Sequence, residues 1–211
     1  MLIFGKRLKN HFDFLPSPIN LVLGAGSTKK RGWISTDIVD TSNYYFNFKK
    51  DWKFEDKIDL IFGEMILASL NRAELYDFFE GCFKSLKIGG KLRISTINYT
   101  KICQLYLEDT YDTQQLLNRH KSKGFLGEFP IDLIFNSVCT QEAPLFGKTL
   151  GSYLHDQAVI ESILASVGFK NVEYFTAGNS NSHGLINLET RTSDPEVAMQ
   201  LCFEATKSDS N

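Results

Sequence analysis

The sequence predicts an α/β fold built on a mostly parallel sheet. Three observations predict it. Short apolar segments closed by a glycine or an acid recur through the first hundred residues. Amphipathic helical stretches are interleaved with them. The first apolar segment runs directly into a glycine turn, Gly24-Ala25-Gly26.

Taken in order, Ile19 to Leu23 reads as a buried parallel strand, because an apolar run this short suits a strand covered on both faces. Trp33 to Thr36, closed by Asp37, is a second strand. Tyr44 to Phe48 is a third and Ile58 to Phe62 a fourth. From Arg72 to Leu86, apolar residues at spacings of three and four (Leu75, Phe78, Phe79, Cys82, Phe83, Leu86) predict an amphipathic helix stopping before Gly89-Gly90. Asn71 fits its N-cap, with Glu74 three residues on as in a capping box. Lys91 to Thr96 is a fifth strand. His155 to Val167 is a second helix, with Ala158, Val159, Ile163, Leu164 and Val167 on one face and Gly168 as its stop. Val172 to Phe175 is a sixth strand, and the alternating Val197 to Ala205 a seventh. One connection is unusual: only six residues separate Gly26 from Trp33. A full crossover helix cannot fit there.

The chain of 211 residues suits a single domain spanning residues 1–211. The stretch from Asn98 to Lys148, with weaker periodicity and many aromatic residues, reads as an insertion on one sheet edge, forming a lid or acceptor pocket. The net charge of −2 provides no basic field for nucleic acid. No apolar run reaches the roughly 20 residues of a membrane span, and the charged start lacks a signal-peptide core. The expectation is a cytoplasmic protein without membrane or nucleic-acid partners, monomeric or homodimeric. Cys82, Cys103, Cys139 and Cys202 form no CxxC pair and are expected as buried, reduced thiols. His11, His120, His155 and His183 form no i, i+4 metal pair, so no metal is expected.

A glycine turn after a first strand lets a ligand approach the backbone closely. The dinucleotide fingerprint GxGxxG would need glycine where Lys29 stands. Its acid would lie about 20 residues on, whereas Asp37 comes much sooner. The P-loop pattern is missing altogether. These spacings disfavour NAD and ATP.

The ordered series of motifs is more specific than its parts. Residues 20–26, NLVLGAG, followed by GWISTDI at 32–38, resemble the opening of a family of class I S-adenosylmethionine-dependent methyltransferases, LNLGCG then GWxNxDI. In order, NFKKDWKF at 47–54 is similar to that family's DLxxPLPF, IDLI at 58–61 to FDLI, and EMILASL at 64–70 to EHVLEHL. LKIGGKLRI at 86–94 resembles LKPGGxLRI, YLHD at 153–156 resembles WxYD, ASVGF at 165–169 resembles EAGF, and FEATK at 203–207 resembles the closing strand. The stretch between residues 98 and 150 is unmatched.

The resemblance implies a Rossmann-like three-layer sandwich, with a seven-stranded sheet whose last strand is antiparallel. It implies S-adenosylmethionine as cofactor and a small-molecule, sugar or polysaccharide-precursor acceptor. It assigns Gly24, Ala25 and Gly26 to the methionine and ribose part of the donor. Asp37 is assigned to the ribose hydroxyls, which a carboxylate accepts bidentately. The alternative for Asp37 is a turn-former after its strand. Asn47 and Phe48 are assigned to the adenine, with Asn47 standing where the family has Asp and Asp51 as an alternative acceptor. Glu64 and Met65 fall at the end of the fourth strand, where Met65 replaces the family's His and Ala68-Ser69 replaces a Glu-His pair. Plain core packing is the other reading of Met65.

Methyl transfer from a sulfonium is an in-line displacement, so the protein mainly aligns and desolvates the reactants. A hydroxyl or amine acceptor also needs a base. The resemblance puts His155 first as that catalytic residue, unless His155-Asp156 simply caps its helix. His120 in the insertion is a second candidate. His183 reads as a surface loop residue. Three functions stay open: a methyltransferase; a non-catalytic methyltransferase-like binding or partner-subunit module, suggested by Met65, Ala68 and Ser69; and a dinucleotide or nucleotide-sugar enzyme, disfavoured by Lys29 and the early Asp37.

Overall fold

A computed structural model describes residues 6–39, 42–138, 155–193 and 197–209. Cys139, Tyr153 and the last part of the expected insertion lie outside the described residues. The seven strands are β1 (Asn20–Leu23), β2 (Ile34–Asp37), β3 (Tyr44–Tyr45), β4 (Ile58–Glu64), β5 (Leu86–Ile97), β6 (Lys170–Phe175) and β7 (Gln200–Thr206). They form one sheet in the order β3-β2-β1-β4-β5-β7-β6. β1 to β5 are parallel, and β7 runs antiparallel to both β5 and β6. This is the Rossmann-like α/β arrangement expected from the sequence, with the last strand reversed.

Alternation along the strands sorts side chains to two faces. Leu21, Leu23, Ile61, Leu92, Ile94, Phe203 and Ala205 point to one face, where α1 (Arg72–Ser85) and α5 (Gln157–Val167) bury Leu75, Phe78, Phe79, Ile160 and Leu164 in the main core. α1 begins in a complete capping box: Asn71 Oδ1 accepts from Glu74 N at 3.0 Å, and Glu74 Oε2 accepts from Asn71 N at 2.9 Å. α5 starts two residues later than expected, with Asp156 as N-cap accepting from Val159 N at 2.8 Å. Ala158, expected on its inner face, is exposed, and Ile160 takes that place.

The opposite face is covered differently. β1 passes to β2 without a helix, as the six-residue gap required. Cover comes instead from the long β6–β7 connection, whose Leu185 and Leu188 pack on Val22 and Phe62. Beside this apolar patch the same face is polar and buried. Arg93 of β5, fully buried, donates from Nε to Glu189 at 2.7 Å and from its NH1 to Glu204 of β7 at 2.6 Å. Glu189 also accepts from Gly178 N at 2.8 Å. Ser95 donates to Gln200 at 2.5 Å, and Gln200 donates to the Arg191 carbonyl. This network fastens the connection to the sheet. Burial alone would lower the Arg93 guanidinium, but its pairs with Glu189 and Glu204 raise it above its ordinary value.

The insertion leaves the carboxyl end of β5, an interior strand rather than a sheet edge. It folds as α2 (Tyr99–Glu108), α3 (Tyr111–Ser122) and α4 (Ile131–Val138), joined by a small core of Ile102, Leu105, Leu116, Leu117 and Leu133.

Further differences from the sequence reading have local causes. The third strand ends at Tyr45 rather than Phe48, because a tight turn closes on Asn47, whose carbonyl accepts from Asp51 N at 2.8 Å. α1 ends at Ser85, and β5 begins at Leu86 with a bulge before regular pairing resumes at Lys91. The seventh strand starts at Gln200, after a 3-10 turn over Val197–Met199. Cys103 is exposed on α2, unlike Cys82 and Cys202, because Ile102 and Leu105 take the inward positions. Among the described residues no helix is long and apolar enough to cross a membrane.

Candidate functional site

The carboxyl ends of β1, β2, β3 and β4 bring most of the sequence-predicted residues together. Gly24 and Gly26 both adopt left-handed backbone, φ +60° and +54°, which a glycine accepts at little cost. A Cβ on Gly26 would meet nothing within 4 Å, whereas one on Gly24 would lie 2.7 Å from Ile66 Cγ2. Ile66 thus packs directly over Gly24, with the Phe48 ring 3.9 Å from the same point.

Asp37 ends β2 and ties the turn together. Its Oδ2 accepts from Gly26 N at 2.7 Å, and its Oδ1 accepts from Ile38 N at 2.6 Å and Val39 N at 3.3 Å. A carboxylate offers about four lone-pair sites. One site on Oδ2 therefore remains for a ligand, and displacing the long Val39 contact opens a second. Asp37 is a turn-former in this structure and keeps acceptor capacity beside the glycines.

Asn47 is occupied locally. Its side-chain oxygen accepts from Lys49 N at 3.0 Å, and Asp51 accepts from Asn47 N at 3.0 Å. Phe48 packs edge-on to Phe78 at 5.7 Å, and its carbonyl accepts from Trp52 Nε1 at 2.6 Å.

At the end of β4, Glu64 reaches the β6–β7 connection. It accepts from Thr190 Oγ1 at 2.7 Å and from the backbone N–H groups of Thr190 and Arg191 at 3.1 and 3.2 Å, and it pairs with the Arg191 guanidinium at 3.3 Å. Met65 is held in left-handed backbone, φ +58°, by Met65 N donating to Ser95 O at 2.7 Å. A long side chain forced into this conformation is a strain often stored at ligand sites.

Two cavities adjoin along this seam. The first, of about 170 Å³, lies over the glycine turn and is lined by Gly24, Ala25, Thr28, Lys30, Phe62 and Glu64, closed by Thr190 and Arg191. Lys30 Nζ sits 5.7 Å above the Phe62 ring. The second, of about 200 Å³, lies under the insertion. Its floor is Met65, Ile97 and Met199; α2, α3 and α4 supply Ile102, Leu116 and Leu133; Phe125 closes one side. Its polar groups among the described residues are His120, Asn136 and Arg191. Arg191 lines both cavities, and Glu64 and Met65 are consecutive, one facing each.

The histidines separate. His155 is buried, and its Nε2 meets the Leu67 carbonyl at 3.1 Å. Burial pushes its imidazole below the ordinary value, against the opposing pull of the Leu67 and Leu70 carbonyls. This position beneath the 67–70 turn is away from both cavities of the seam. His120 instead lines the second cavity, where Asn136 Nδ2 meets its Nδ1 at 2.9 Å. His183 is exposed on the β6–β7 connection.

Sequence reasoning missed Thr190, Arg191, Lys30 and Asn136. Thr190 lies 126 positions from Glu64, so no local spacing links them. Lys30 stands in the run Lys29-Lys30-Arg31, where no spacing marks a ligand. The one usable signal was β7, where Gln200 and Glu204 occupy alternate positions of a strand and imply one polar face.

No known protein-family profile matches this chain, and no curated protein matches it in sequence. Solved structures match it by fold. A SAM-dependent methyltransferase from Archaeoglobus fulgidus aligns at TM-score 0.53 and 13% identity, over 95% of this chain and 91% of that one. A chain from a structure described as a "complex between the Haloferax volcanii Trm112 methyltransferase activator and the putative methyltransferase" aligns at TM-score 0.51 and 12% identity, over 91% of this chain and 85% of that one. A possible exported protein from Bordetella parapertussis aligns at TM-score 0.49 and 11% identity, over 95% of this chain; this chain spans 65% of it. The chain therefore has the fold of the class I SAM-dependent methyltransferases.

Proposed function

We propose that the protein is an S-adenosylmethionine-dependent methyltransferase acting on a small-molecule acceptor. The observation that carries this reading is the pair of adjoining cavities at the carboxyl ends of β1 and β4, which share Arg191 and are separated by Glu64 and Met65. Two reactants in adjoining sites can meet in line, and alignment is the main contribution required of the protein. The first cavity suits the methionine half of the donor. Lys30 offers a counter-charge for a carboxylate, and the glycine turn close backbone approach. The lone-pair sites left on Asp37 suit a ribose hydroxyl.

When bound, the donor supplies an activated methyl group on a sulfonium. The chain's own residues then do three things. The Thr190–Arg191 segment, latched to Glu64, shields the seam from water. The Met65 backbone, fixed by Ser95, holds the partition between the cavities. Ile97, Met199 and the helices of the insertion enclose the acceptor side in this reading. In this reading His155 is a positioning residue beneath the 67–70 turn.

The test is titration calorimetry with S-adenosylhomocysteine on the wild type and Asp37→Ala. Binding to the wild type that weakens at least tenfold in the variant is expected. No binding to the wild type sinks the reading and leaves a methyltransferase-like module with another ligand.

A further inference from the structure

We infer that the cavity beneath the insertion binds a compact organic carboxylate, with its apolar body among the helices and its carboxylate against the Arg191 guanidinium at the seam. As an identification of the methyl acceptor this rests on the methyltransferase reading; as a binding site it stands alone.

The charge comes first. Arg191 is the one side chain of fixed charge among the described residues that line this cavity. Its backbone is anchored on both sides: its N–H donates to Glu64 at 3.2 Å, and its carbonyl accepts from Gln200 Nε2. The side chain is held less firmly. It is half exposed, and among the described residues its guanidinium pairs with Glu64 alone, at 3.3 Å. An ion pair this open to solvent contributes little. Glu64 does not depend on it, because Thr190 Oγ1 donates to Glu64 at 2.7 Å and Thr190 N at 3.1 Å. A guanidinium presents several N–H donors in a planar fork. The donors that Glu64 leaves over match both oxygens of a second carboxylate, and such a bidentate pair is stronger than a neutral hydrogen bond.

The apolar body comes second. The rest of the lining is mostly carbon and thioether, including Met65, Met199, Leu116, Leu133 and Phe125. The cavity measures about 200 Å³. An engineered apolar cavity of ~150 Å³ holds benzene. One ring, or a short branched chain, with one carboxylate fills the space. A sugar presents hydroxyls on every side, and most would face carbon here without a partner.

Position comes third. Arg191 lines both cavities, so a carboxylate that it holds sits at their junction rather than deep among the helices. Lys30, the other cation of the seam, lines only the first cavity. The two cations thus serve different ligands.

The experiment is ligand-observed NMR on the full chain with benzoate, its neutral analogue benzamide, and acetate, a carboxylate without an apolar body. Benzoate is expected to bind more tightly than either of the others. In Arg191→Met, benzoate should weaken at least tenfold, the worth of a hydrogen bond to a charged group, while benzamide is unchanged. Lys30→Met should leave benzoate binding as in the wild type. Leu116→Phe should abolish it; if circular dichroism shows that variant unfolded, Ile102→Phe on α2 asks the same question. Absence of benzoate binding, benzamide or acetate bound as tightly as benzoate, equal loss of benzoate and benzamide in Arg191→Met, or benzoate lost in Lys30→Met but kept in Arg191→Met overturns the inference. Calorimetry with S-adenosylhomocysteine on the same samples separates the two readings. Donor product bound without benzoate overturns this inference alone. Benzoate bound through Arg191 without donor product supports the site and removes methyl transfer.

Discussion

Replacing Arg93 with methionine tests how the β6–β7 connection is held and whether that hold matters to the seam. The guanidinium is fully buried and bridges Glu189 and Glu204 at 2.7 and 2.6 Å, with side chains 0% and 1% exposed. Removing one member of a buried ion network costs about 3–5 kcal/mol, chiefly because the remaining charges are left uncompensated. Each carboxylate here keeps one other contact. Glu189 still accepts from Gly178 N, and Glu204 lies 3.8 Å from Lys91 Nζ. The expected loss is therefore at the low end, about 3 kcal/mol. For a chain of this size that corresponds to a fall in Tm of roughly 6–12 °C. Urea unfolding followed by circular dichroism measures it. Converting the whole triad, Arg93→Met with Glu189→Leu and Glu204→Leu, should recover most of the loss, because no buried charge remains. Thr190 and Arg191 follow Glu189 directly, so Arg93→Met should also weaken S-adenosylhomocysteine binding under conditions where the variant stays folded. A destabilisation below about 1 kcal/mol, or a triple variant no better than the single one, would refute the reasoning.

Three other outcomes are expected. The native imidazole of His155 titrates below 6.5, so the unfolded chain takes up its proton first. Its stability contribution is complete above pH 6.5 and declines as the pH falls through that value; urea midpoints across this range should slope less in His155→Gln, and parallel slopes would refute the assignment. Asn71→Ala removes the side-chain half of the α1 capping box, leaving the bond from the residue 71 N–H to Glu74, and should cost about 1 kcal/mol in urea unfolding; a neutral result would mean that the side-chain cap adds nothing. Gly24→Ala should cost about 1–2 kcal/mol for its left-handed backbone and more for the 2.7 Å overlap with Ile66. A double variant with Ile66→Ala should be more stable than the sum of the singles, by at least 0.5 kcal/mol or so, and strict additivity would show that the overlap relaxes freely.

Whatever depends on neighbours a few residues apart could be read along the chain. The capping box of Asn71 and Glu74, the cap at Asp156, the stop at Gly168 and the glycine turn between β1 and β2 are hydrogen bonds or backbone conformations closed within three or four residues. The central strands β1, β4 and β5 were visible because segments covered on both faces read as apolar runs. That a helix is missing between β1 and β2 followed from chain length alone. Tertiary structure decided the rest. Arg93 meets Glu189 and Glu204 across 96 and 111 positions, and no spacing rule reaches that far. His155, adjacent to a helix start, could equally have faced a substrate; packing against Leu67 buried it. Asn136 and His120 meet because α3 and α4 fold against each other. Local bonding set the elements, whereas the site was set by which distant side chains the sheet order and the β6–β7 connection brought together, since burial of charge and the closing of a cavity are properties of the packed molecule.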